Sequence, residues 1–293
     1  MTNPLILVTG ATGTVGSELV KQLVQGGHRV RALVRDPAKA SKFGTGVEVV
    51  QGDLSKPETL AAAFAGVDKA FVLSTGPELA KLEANAFDAA KRAGVKYVVK
   101  LSGRHLDADF MAGAALVQWH DESERRLRAL GVAWTILRPG MFASNVLMWG
   151  VKEQGGLFLP MGDGKDTPID PRDIAAVAVK VLTTPGHEGK IYELTGPEFL
   201  SFAEMVQKMA TAIDKPLKYV DVPEATAREG MLANGVPPAL ADSLLRYFAG
   251  VKAGQIYPPT STVADLLGRP PRTFEQWAKD HVAALLATNE VVL

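Results

Sequence analysis

Short apolar runs alternate with stretches of helical periodicity from residue 5 to about residue 195. The apolar runs have the length of strands and are continuous rather than alternating with polar residues. Strands of that kind are buried on both faces, which is typical of a parallel sheet covered by helices. Because crossover connections are right-handed, the pattern predicts an α/β fold with a doubly wound parallel sheet.

The individual elements follow from run length and from the residues that start helices. The predicted strands are Leu5–Val8, Val30–Val34, Val47–Gln51, Ala70–Leu73, Tyr97–Leu101, Trp134–Leu137 and Ile191–Leu194. The predicted helices include Leu60–Ala65, Leu79–Ala93, Ala114–Leu130 and Ile174–Thr183. Capping boxes are expected at Ser55-x-x-Glu58 and Ser201-x-x-Glu204, and Asp170-Pro171 is expected to start a helix.

Three glycines at a spacing of three lie between the first predicted strand and the helical pattern after it. A strand, a tight glycine turn and a helix N-terminus form an anion site, because backbone N–H groups point at a phosphate that glycine lets approach closely. The motif predicts a dinucleotide site of the Rossmann type. Its predicted cofactor-binding residues are Gly10, Thr12, Gly13, Thr14, Val15 and Gly16.

The end of the second strand bears on which dinucleotide binds. In the NAD-type fingerprint, an acidic residue about 20 positions beyond the glycines binds the ribose 2′-hydroxyl. In this chain Val34 holds that position and Arg35 follows it. A guanidinium pairs with a 2′-phosphate, so the sequence favours NADPH over NADH. The alternative is that Arg35 is an ordinary solvated charge and that Asp36 reaches the ribose.

Two further segments are predicted to line the cofactor. Asp53 and Leu54 follow the third strand, where a carboxylate can accept from an adenine amino group and leucine can cover the ring. The alternative is that Asp53 only shapes a turn. Ser74 and Thr75 end the fourth strand, beside the point where the strand order reverses.

Two regions break the alternation. Residues 143–169 are irregular and rich in glycine, and residues 196–293 are mostly helical with proline-marked joints. We therefore predict an NADP-binding Rossmann domain formed by residues 1–142 with 170–195. Residues 143–169 with 196–293 are predicted to form a smaller substrate-binding lobe.

Composition and charge argue against several classes of function. Lysine plus arginine equals aspartate plus glutamate at 32 each, so no global field attracts nucleic acid or an anionic membrane surface. The 293 residues include no cysteine, and the five histidines show no metal-ligand spacing. No apolar run reaches the ~18 residues of a membrane span. We expect a cytoplasmic protein without metal, nucleic-acid or membrane partners, and we leave a homodimer open.

Several motifs occur in order along almost the whole chain. They are Gly-Ala-Thr-Gly-Thr-Val-Gly at 10–16, Val-Arg-Asp-Pro at 34–37, Gly-Asp-Leu at 52–54, Thr-Ile-Leu-Arg-Pro-Gly at 135–140, Asp-Pro-Arg-Asp-Ile-Ala at 170–175 and Leu-Thr-Gly-Pro-Glu at 194–198. With them the chain resembles atypical short-chain dehydrogenases/reductases of the NmrA-like group, specifically the NADPH-dependent quinone oxidoreductases and triphenylmethane dye reductases. The resemblance implies an NADPH-dependent reductase, with Pro139, Gly140 and Phe142 against the nicotinamide.

The resemblance also exposes a departure on the helix after the fifth strand. Typical short-chain dehydrogenases carry Tyr-x-x-x-Lys there, and the tyrosine donates a proton to the carbonyl that is reduced. Counting from the Thr-Ile-Leu-Arg-Pro motif places Leu116 at the tyrosine position and His120 at the lysine position. His120 shares a helical stripe with Ser123 and Leu127, so we expect it to face the sheet and the cofactor.

The remaining charges of this helix form i,i+4 pairs, which we expect to lie in solvent. These pairs are Asp121/Arg125, Glu122/Arg126 and Glu124/Arg128.

Loss of the phenol limits the chemistry. Without the phenol, the rate of reduction of an unactivated ketone would lack the general-acid contribution of ~10²–10⁴. We therefore expect a small-molecule aromatic electron acceptor that takes hydride readily, such as a quinone, a cationic triphenylmethane dye or an activated azo compound. His120 is the candidate catalytic residue, because the pKa of histidine lies near the working pH; a histidine packed under the cofactor is the alternative. Ser102 is a further cofactor candidate and His105 a further site candidate.

The acceptor pocket has three candidate residues, Phe142, Met148 and Trp149. Methionine and aromatic residues are often core, and that alternative stays open. A competing function is a dinucleotide-sensing regulator, because NmrA itself resembles a reductase but acts as a regulator. A carbonyl or alkene reductase similar to isoflavone reductases is a third alternative, although those use a lysine that this helix lacks.

Overall fold

The computed structural model describes residues 3–104, 108–149 and 155–287. Its contacts divide the chain into two units. Unit 1 comprises Met1–Arg104, Gln118–Pro139 and Pro171–Glu193, and unit 2 comprises His105–Val117, Gly140–Asp170 and Leu194–Leu293. Residues 105–117, 140–142, 170 and 194–195, which the sequence assigned to the cofactor domain, thus fall in unit 2. The assignment of one domain to cofactor and the other to substrate stays a prediction.

The strands of the first half of the chain alternate with its helices. This half contains β1 (Leu5–Val8), α1 (Thr14–Gln25), β2 (Arg29–Val34), β3 (Val47–Gln51), α2 (Leu60–Phe64), β4 (Lys69–Val72), α3 (Leu79–Arg92), β5 (Tyr97–Leu101), α4 (Ala115–Arg128) and β6 (Ala133–Pro139). The second half is richer in helix. It contains α5 (Asn145–Met148), β7 (Gly156–Leu159), β8 (Lys165–Asp166), α6 (Pro171–Thr183), β9 (Lys190–Leu194), β10 (Leu200–Ser201), α7 (Phe202–Ile213), β11 (Lys218–Asp221), α8 (Glu224–Ala233), α9 (Pro238–Lys252), α10 (Thr262–Leu267), α11 (Phe274–Asp280) and α12 (Val282–Leu286).

The central sheet has the strand order β3-β2-β1-β4-β5-β6-β9. The pairs formed among β1 to β6 are all parallel. Strand β1 lies between β2 and β4, so the direction of winding reverses at its carboxyl end, where open α/β sheets bind ligands. The predicted doubly wound sheet is confirmed.

The core of unit 1 shows why these elements form. Apolar residues of the strands, such as Val72 and Val98, are fully buried against Phe64 of α2, Phe87 of α3 and Leu127 of α4. Helices α1 and α6 pack against each other. A sheet covered by helices explains why its strands are continuous apolar runs rather than alternating ones.

The glycine turn between β1 and α1 has a backbone that residues other than glycine rarely adopt. Gly10 has a φ of +59°, and its carbonyl accepts the Gly13 N–H at 2.9 Å. A Cβ on Gly16 would lie 2.1 Å from the Gly10 carbonyl oxygen, which is far inside van der Waals contact. Glycine at position 16 therefore lets the first turn of α1 pack directly on the end of β1.

The N-termini of the helices agree with two predictions and show that a third is wrong. The capping box of Ser201 and Glu204 is present at α7, and α6 begins at Pro171, as expected. The box predicted at Ser55 is wrong, because the Ser55 N–H and hydroxyl both donate to Asp53 Oδ1, at 2.9 and 2.8 Å. Asp53 thus closes a local turn, and a short 3₁₀ helix starts only at Pro57.

Unit 2 has its own core, formed by α7, α9 and α11. The fully buried side chains Phe202, Phe248, Phe274 and Trp277 belong to it. Strand β10 pairs antiparallel with β8, and β11 pairs parallel with β7. Within the described ranges, the helices are too short or too polar to cross a membrane.

We expect Gly16→Ala to lower the free energy of unfolding by more than ~1 kcal/mol, because the new Cβ meets the Gly10 carbonyl. Gly230→Ala is the matched control, since Gly230 lies in α8 with open space around its Cα, and alanine there should stabilise by about 0.5–1 kcal/mol. Urea unfolding of both variants measures the difference. A Gly16→Ala variant as stable as the parent would contradict the close approach.

Candidate functional site

The N-terminus of α1 is open to a ligand. Its N-cap, Gly13, has no side chain to satisfy the first N–H groups, and no acidic residue occupies the first turn. Gly10, Gly13 and Thr14 are exposed, Thr12 is partly exposed, and Val15 points into the core. Unsatisfied N–H groups and the positive end of the helix dipole therefore face outward, which fits the pyrophosphate of a dinucleotide.

Two cations flank this turn. Arg35 is exposed directly after β2 and forms no ion pair within the described part of the chain. Asp36 accepts the Ala38 N–H at 3.0 Å and caps a short 3₁₀ helix, so its carboxylate already has a local role. Lys42, near the end of that helix, donates from Nζ to the Thr12 carbonyl at 2.9 Å. Lys42 was not predicted from the sequence, because 30 residues separate it from its partner.

The loop after β3 supports the turn-shaping alternative for Asp53. Its carboxylate accepts both hydrogen bonds from Ser55, and its N–H donates to Thr59 Oγ1 at 3.0 Å. The Ser55 hydrogen bonds, with a smaller effect of Arg35, hold the pKa of Asp53 below its usual value. Leu54 is partly buried against the unit 1 core, and its predicted contact with a ring stays a prediction.

The end of β4 is fixed by hydrogen bonds of its own. The Ser74 N–H donates to Glu83 Oε1 at 3.2 Å, and the Ser74 hydroxyl donates to the Leu79 carbonyl at 3.3 Å. Thr75 next to it is exposed. The loop that was predicted to line the cofactor is therefore held by α3.

Glu83 and Lys100 form an ion pair with both side chains fully buried. Lys100 lies on β5, Glu83 lies on α3, and Ser123 of α4 donates its hydroxyl to the same carboxylate. This cluster was not predicted, because Tyr97–Leu101 was interpreted only as an apolar strand. A signal was present, because Lys100 interrupts a buried strand and Glu83 lies on the apolar stripe of α3, and buried charges need partners.

Glu124 corrects a second prediction. It was expected in solvent with Arg128, yet its side chain is fully buried. Arg138 of β6 donates to both carboxylate oxygens, at 3.0 and 2.8 Å, and Arg128 donates at 2.6 Å. Ser102 adds a hydroxyl donor at 2.7 Å. The carboxylate can be buried because β6 brings it a bidentate partner.

The other two predicted pairs of α4 differ from each other. Asp121 and Arg125 form the expected exposed pair at 2.9 Å. Arg126 instead pairs with Asp88 of α3 at 2.6 Å, so the predicted Glu122/Arg126 pair is wrong. The partner on the neighbouring helix lies closer to the guanidinium than the residue one turn away.

His120 is partly buried beside these clusters. Its Nδ1 lies 3.4 Å from the hydroxyl of Ser102. Desolvation, and then the charges of Lys100 and Arg138, lower the pKa of His120 to about 3. The expectation of a pKa near the working pH is therefore wrong. A neutral imidazole still donates one hydrogen bond and accepts another, but it holds no second proton to give at neutral pH.

The tyrosine position of the family pattern holds a partly buried leucine. Leu116 lies in unit 2, and its N–H donates to Ser243 Oγ at 3.2 Å. No phenol therefore stands at this position of α4.

The candidates at and after the end of β6 each have backbone partners of their own. Pro139 ends β6 and accepts the Arg104 N–H at 2.9 Å, whereas Gly140 in unit 2 donates to Leu194 at 2.9 Å. Phe142 is partly buried and forms an isolated bridge with Ile169.

Two of the acceptor candidates have opposite environments. Trp149 packs against Phe202 and Phe248, with ring centroids 6.0 and 5.8 Å apart, so it belongs to the core of unit 2. Met148 is 77% exposed. His105 lies outside the described residues.

Comparison with known proteins supports the dinucleotide site. The NAD(P)H-binding family matches residues 10–185. The chain is 40% identical to an NAD(P)H azoreductase of Xenophilus azovorans over 284 residues, covering 96% of this chain and 99% of that one. An NADPH-dependent quinone oxidoreductase from Escherichia coli, solved with NADPH, is 30% identical with a TM-score of 0.82, covering 94% and 99%. Citrobacter triphenylmethane reductase, solved with NADP(H), is 27% identical with a TM-score of 0.78, covering 94% and 99%.

We expect His120 to make the fold sensitive to acid. Unfolded histidine binds a proton near pH 6.5, whereas the folded group binds one only near pH 3, so the unfolded chain holds more protons between these values. Stability due to this group is complete above about pH 6.5 and falls with pH by up to about 1.4 kcal/mol per unit. Urea unfolding at pH 7, 6 and 5 should show His120→Asn gaining on the parent chain as pH falls. Parallel pH dependences would contradict the low pKa.

Proposed function

The chain belongs to the NAD(P)H-binding family, and from that premise we propose that it is an NADPH-dependent oxidoreductase that reduces an electron-poor aromatic acceptor of the quinone or dye class. One observation carries the choice of acceptor. At the two positions of α4 that would hold the proton-donating pair, the chain has Leu116 and a neutral His120. Such a site suits acceptors that take hydride without prior protonation.

The residues present fit the cofactor. Backbone N–H groups of the α1 N-terminus would hold the pyrophosphate, and Arg35 with Lys42 would hold the 2′-phosphate. Asp36 is engaged by the N–H of Ala38, which weakens the alternative in which it binds a ribose hydroxyl. When bound, NADPH supplies a hydride, and this chain's task is to hold it against the acceptor.

The chain's own catalytic contribution is positioning. Holding donor and acceptor in contact can supply much of the rate when the acceptor is already electrophilic. His120 would act as a hydrogen-bonding group in its neutral form. A quinone or azo compound that has accepted hydride then takes a proton from water, and a cationic triphenylmethane dye needs none. No residue of α4 therefore needs to supply a proton before hydride arrives.

The relatives support this class of acceptor. They are named for azo, quinone and triphenylmethane reduction, and these substrates share conjugation and low electron density rather than shape. We infer that this chain takes a member of the same class. Cytoplasmic location and the pocket of Phe142, Met148 and Trp149 stay predictions, and a homodimer stays open.

Arg35→Glu should weaken NADPH binding about 10- to 100-fold, because a charge-assisted pair is lost and a repulsion is added. NADH binding should change far less, since it lacks the 2′-phosphate. Arg29→Glu is the control, because Arg29 lies at the opposite end of the same strand. Titration of both cofactors by fluorescence measures the four dissociation constants. Equal losses for NADPH and NADH would contradict the assignment.

Purified protein should oxidise NADPH faster when a quinone, an azo dye or a triphenylmethane dye is added. An unactivated ketone should give little acceleration, because α4 offers no phenol to protonate it. Absorbance of NADPH at a fixed protein concentration measures the rates across this panel. Tight NADPH binding without acceleration by any acceptor would instead support the dinucleotide-sensing alternative.

A further inference from the structure

We propose that Glu83 is a positioning residue that fixes the predicted cofactor loop after β4 to the helix that carries His120. The proposal rests on the proposed reductase function. It assigns a role to the buried cluster of Glu83, Lys100 and Ser123, which hydrogen-bonds to both elements.

The first link runs from the glycine turn to Glu83. The Thr9 hydroxyl, directly before Gly10, donates to the Leu73 carbonyl at 3.0 Å and accepts the Leu73 N–H at 2.8 Å. The next residue, Ser74, donates its N–H to Glu83 Oε1 at 3.2 Å. The ends of β1 and β4 and the helix α3 are thus joined by directional bonds.

The second link runs from Glu83 to α4. Its other carboxylate oxygen, Oε2, accepts from Lys100 Nζ and from the Ser123 hydroxyl. Ser123 lies one helical turn beyond His120, and residues three apart are neighbours on a helix surface. A shift of Glu83 would therefore move the cofactor loop and the His120 turn relative to each other.

Stability alone does not account for the charges. A buried ion pair costs so much desolvation that an apolar pair of similar volume is often as stable or more stable. In this protein the fully buried pair lies near the carboxyl ends of β4 and β5, beside the switch point where open α/β sheets bind ligands. The location of the Glu83–Lys100 pair therefore favours a role in positioning the elements around the ligand site.

The cluster also contributes to the charge state of His120, after the larger effect of burial. The groups that face its imidazole are Lys100 from β5, Arg138 from β6 and, through Ser102, the carboxylate of Glu124 on its own helix. Lys100 and Arg138 both oppose protonation. Because Glu83 holds Lys100, the contact that sets distances also keeps in place one of the two charges that, after burial, oppose protonation of the imidazole.

The deciding experiment compares two double variants. Glu83→Met with Lys100→Met removes both charges and the acceptor oxygens, whereas Glu83→Gln with Lys100→Met removes the charges and keeps an amide oxygen for Ser74. We expect kcat with a quinone to fall about tenfold or more in the first, with the Kd for NADPH within about threefold, because misplacement costs rate more than binding. The glutamine variant should recover most of kcat.

The controls separate positioning from a general loss of structure. Asp88→Asn cuts the exposed ion pair between α3 and α4 and should leave kcat unchanged. Ser123→Ala cuts only the link to α4, and it decides the question if the methionine variant does not fold. If the methionine variant folds, an unchanged kcat in it would overturn the proposal. If it does not fold, an unchanged kcat in Ser123→Ala would overturn the proposal.

A second readout does not need turnover. If the parent chain oxidises no NADPH with any acceptor, the proposed function fails, and NMR titration of the His120 imidazole then tests the inference by itself. We expect no titration of the parent between pH 5 and 8, and a higher midpoint in the methionine variant. An unchanged midpoint would then overturn the link between the cluster and His120.

Discussion

The close approach of Gly16 to the Gly10 carbonyl is the constraint on which the dinucleotide end of the structure depends. With hydrogen alone at position 16, α1 begins directly on the end of β1, and its first N–H groups have no side-chain cap. Directly before Gly10, the hydroxyl of Thr9 bonds both polar groups of Leu73 and ties the ends of β1 and β4 together. The missing side chain at position 16 therefore sets the helix start, and the missing side chain at position 13 leaves the first donors of the helix uncapped.

The carboxyl edge of the sheet is organised by buried charge. Glu83 and Glu124 are fully buried carboxylates, one paired with Lys100 and the other with Arg138 and Arg128. Each carboxylate also accepts a serine hydroxyl. In a medium of low polarity, satisfied networks of this kind specify one arrangement of side chains, and partial loss of partners is costly. These networks fix the edge in one arrangement, and burial together with the charges of Lys100 and Arg138 keeps the nearby histidine neutral.

Much of the fold could be predicted from the sequence, because strands such as Leu5–Val8 and Tyr97–Leu101 are local apolar runs with helices between them. The glycine turn could also be predicted from the sequence, because it depends on residues close together in the chain. The contacts of Lys42 with Thr12 and of Lys100 with Glu83 were not, because they join different elements. Glu124 was misplaced for the same reason: helical periodicity cannot show that β6 supplies Arg138 as its partner.

The capping box predicted at Ser55 is wrong for a more local reason. Its spacing to Glu58 fits a capping box, but Asp53 two residues earlier accepts both of its donors first. Neighbouring side chains compete for the same hydrogen-bond donors, and that competition determines whether a capping box forms. A rule that considers only the spacing of one pair of residues does not include this competition.

The bond from Lys42 to the Thr12 carbonyl also has a consequence for association. A lysine side chain and a glycine-rich turn both have large conformational freedom, and the chain loses that freedom when it folds rather than when a ligand arrives. A binding surface that is ordered beforehand keeps more of its interaction energy as affinity. The turn would then distinguish ligands by the groups they present, and little of their binding energy would be consumed in shaping it.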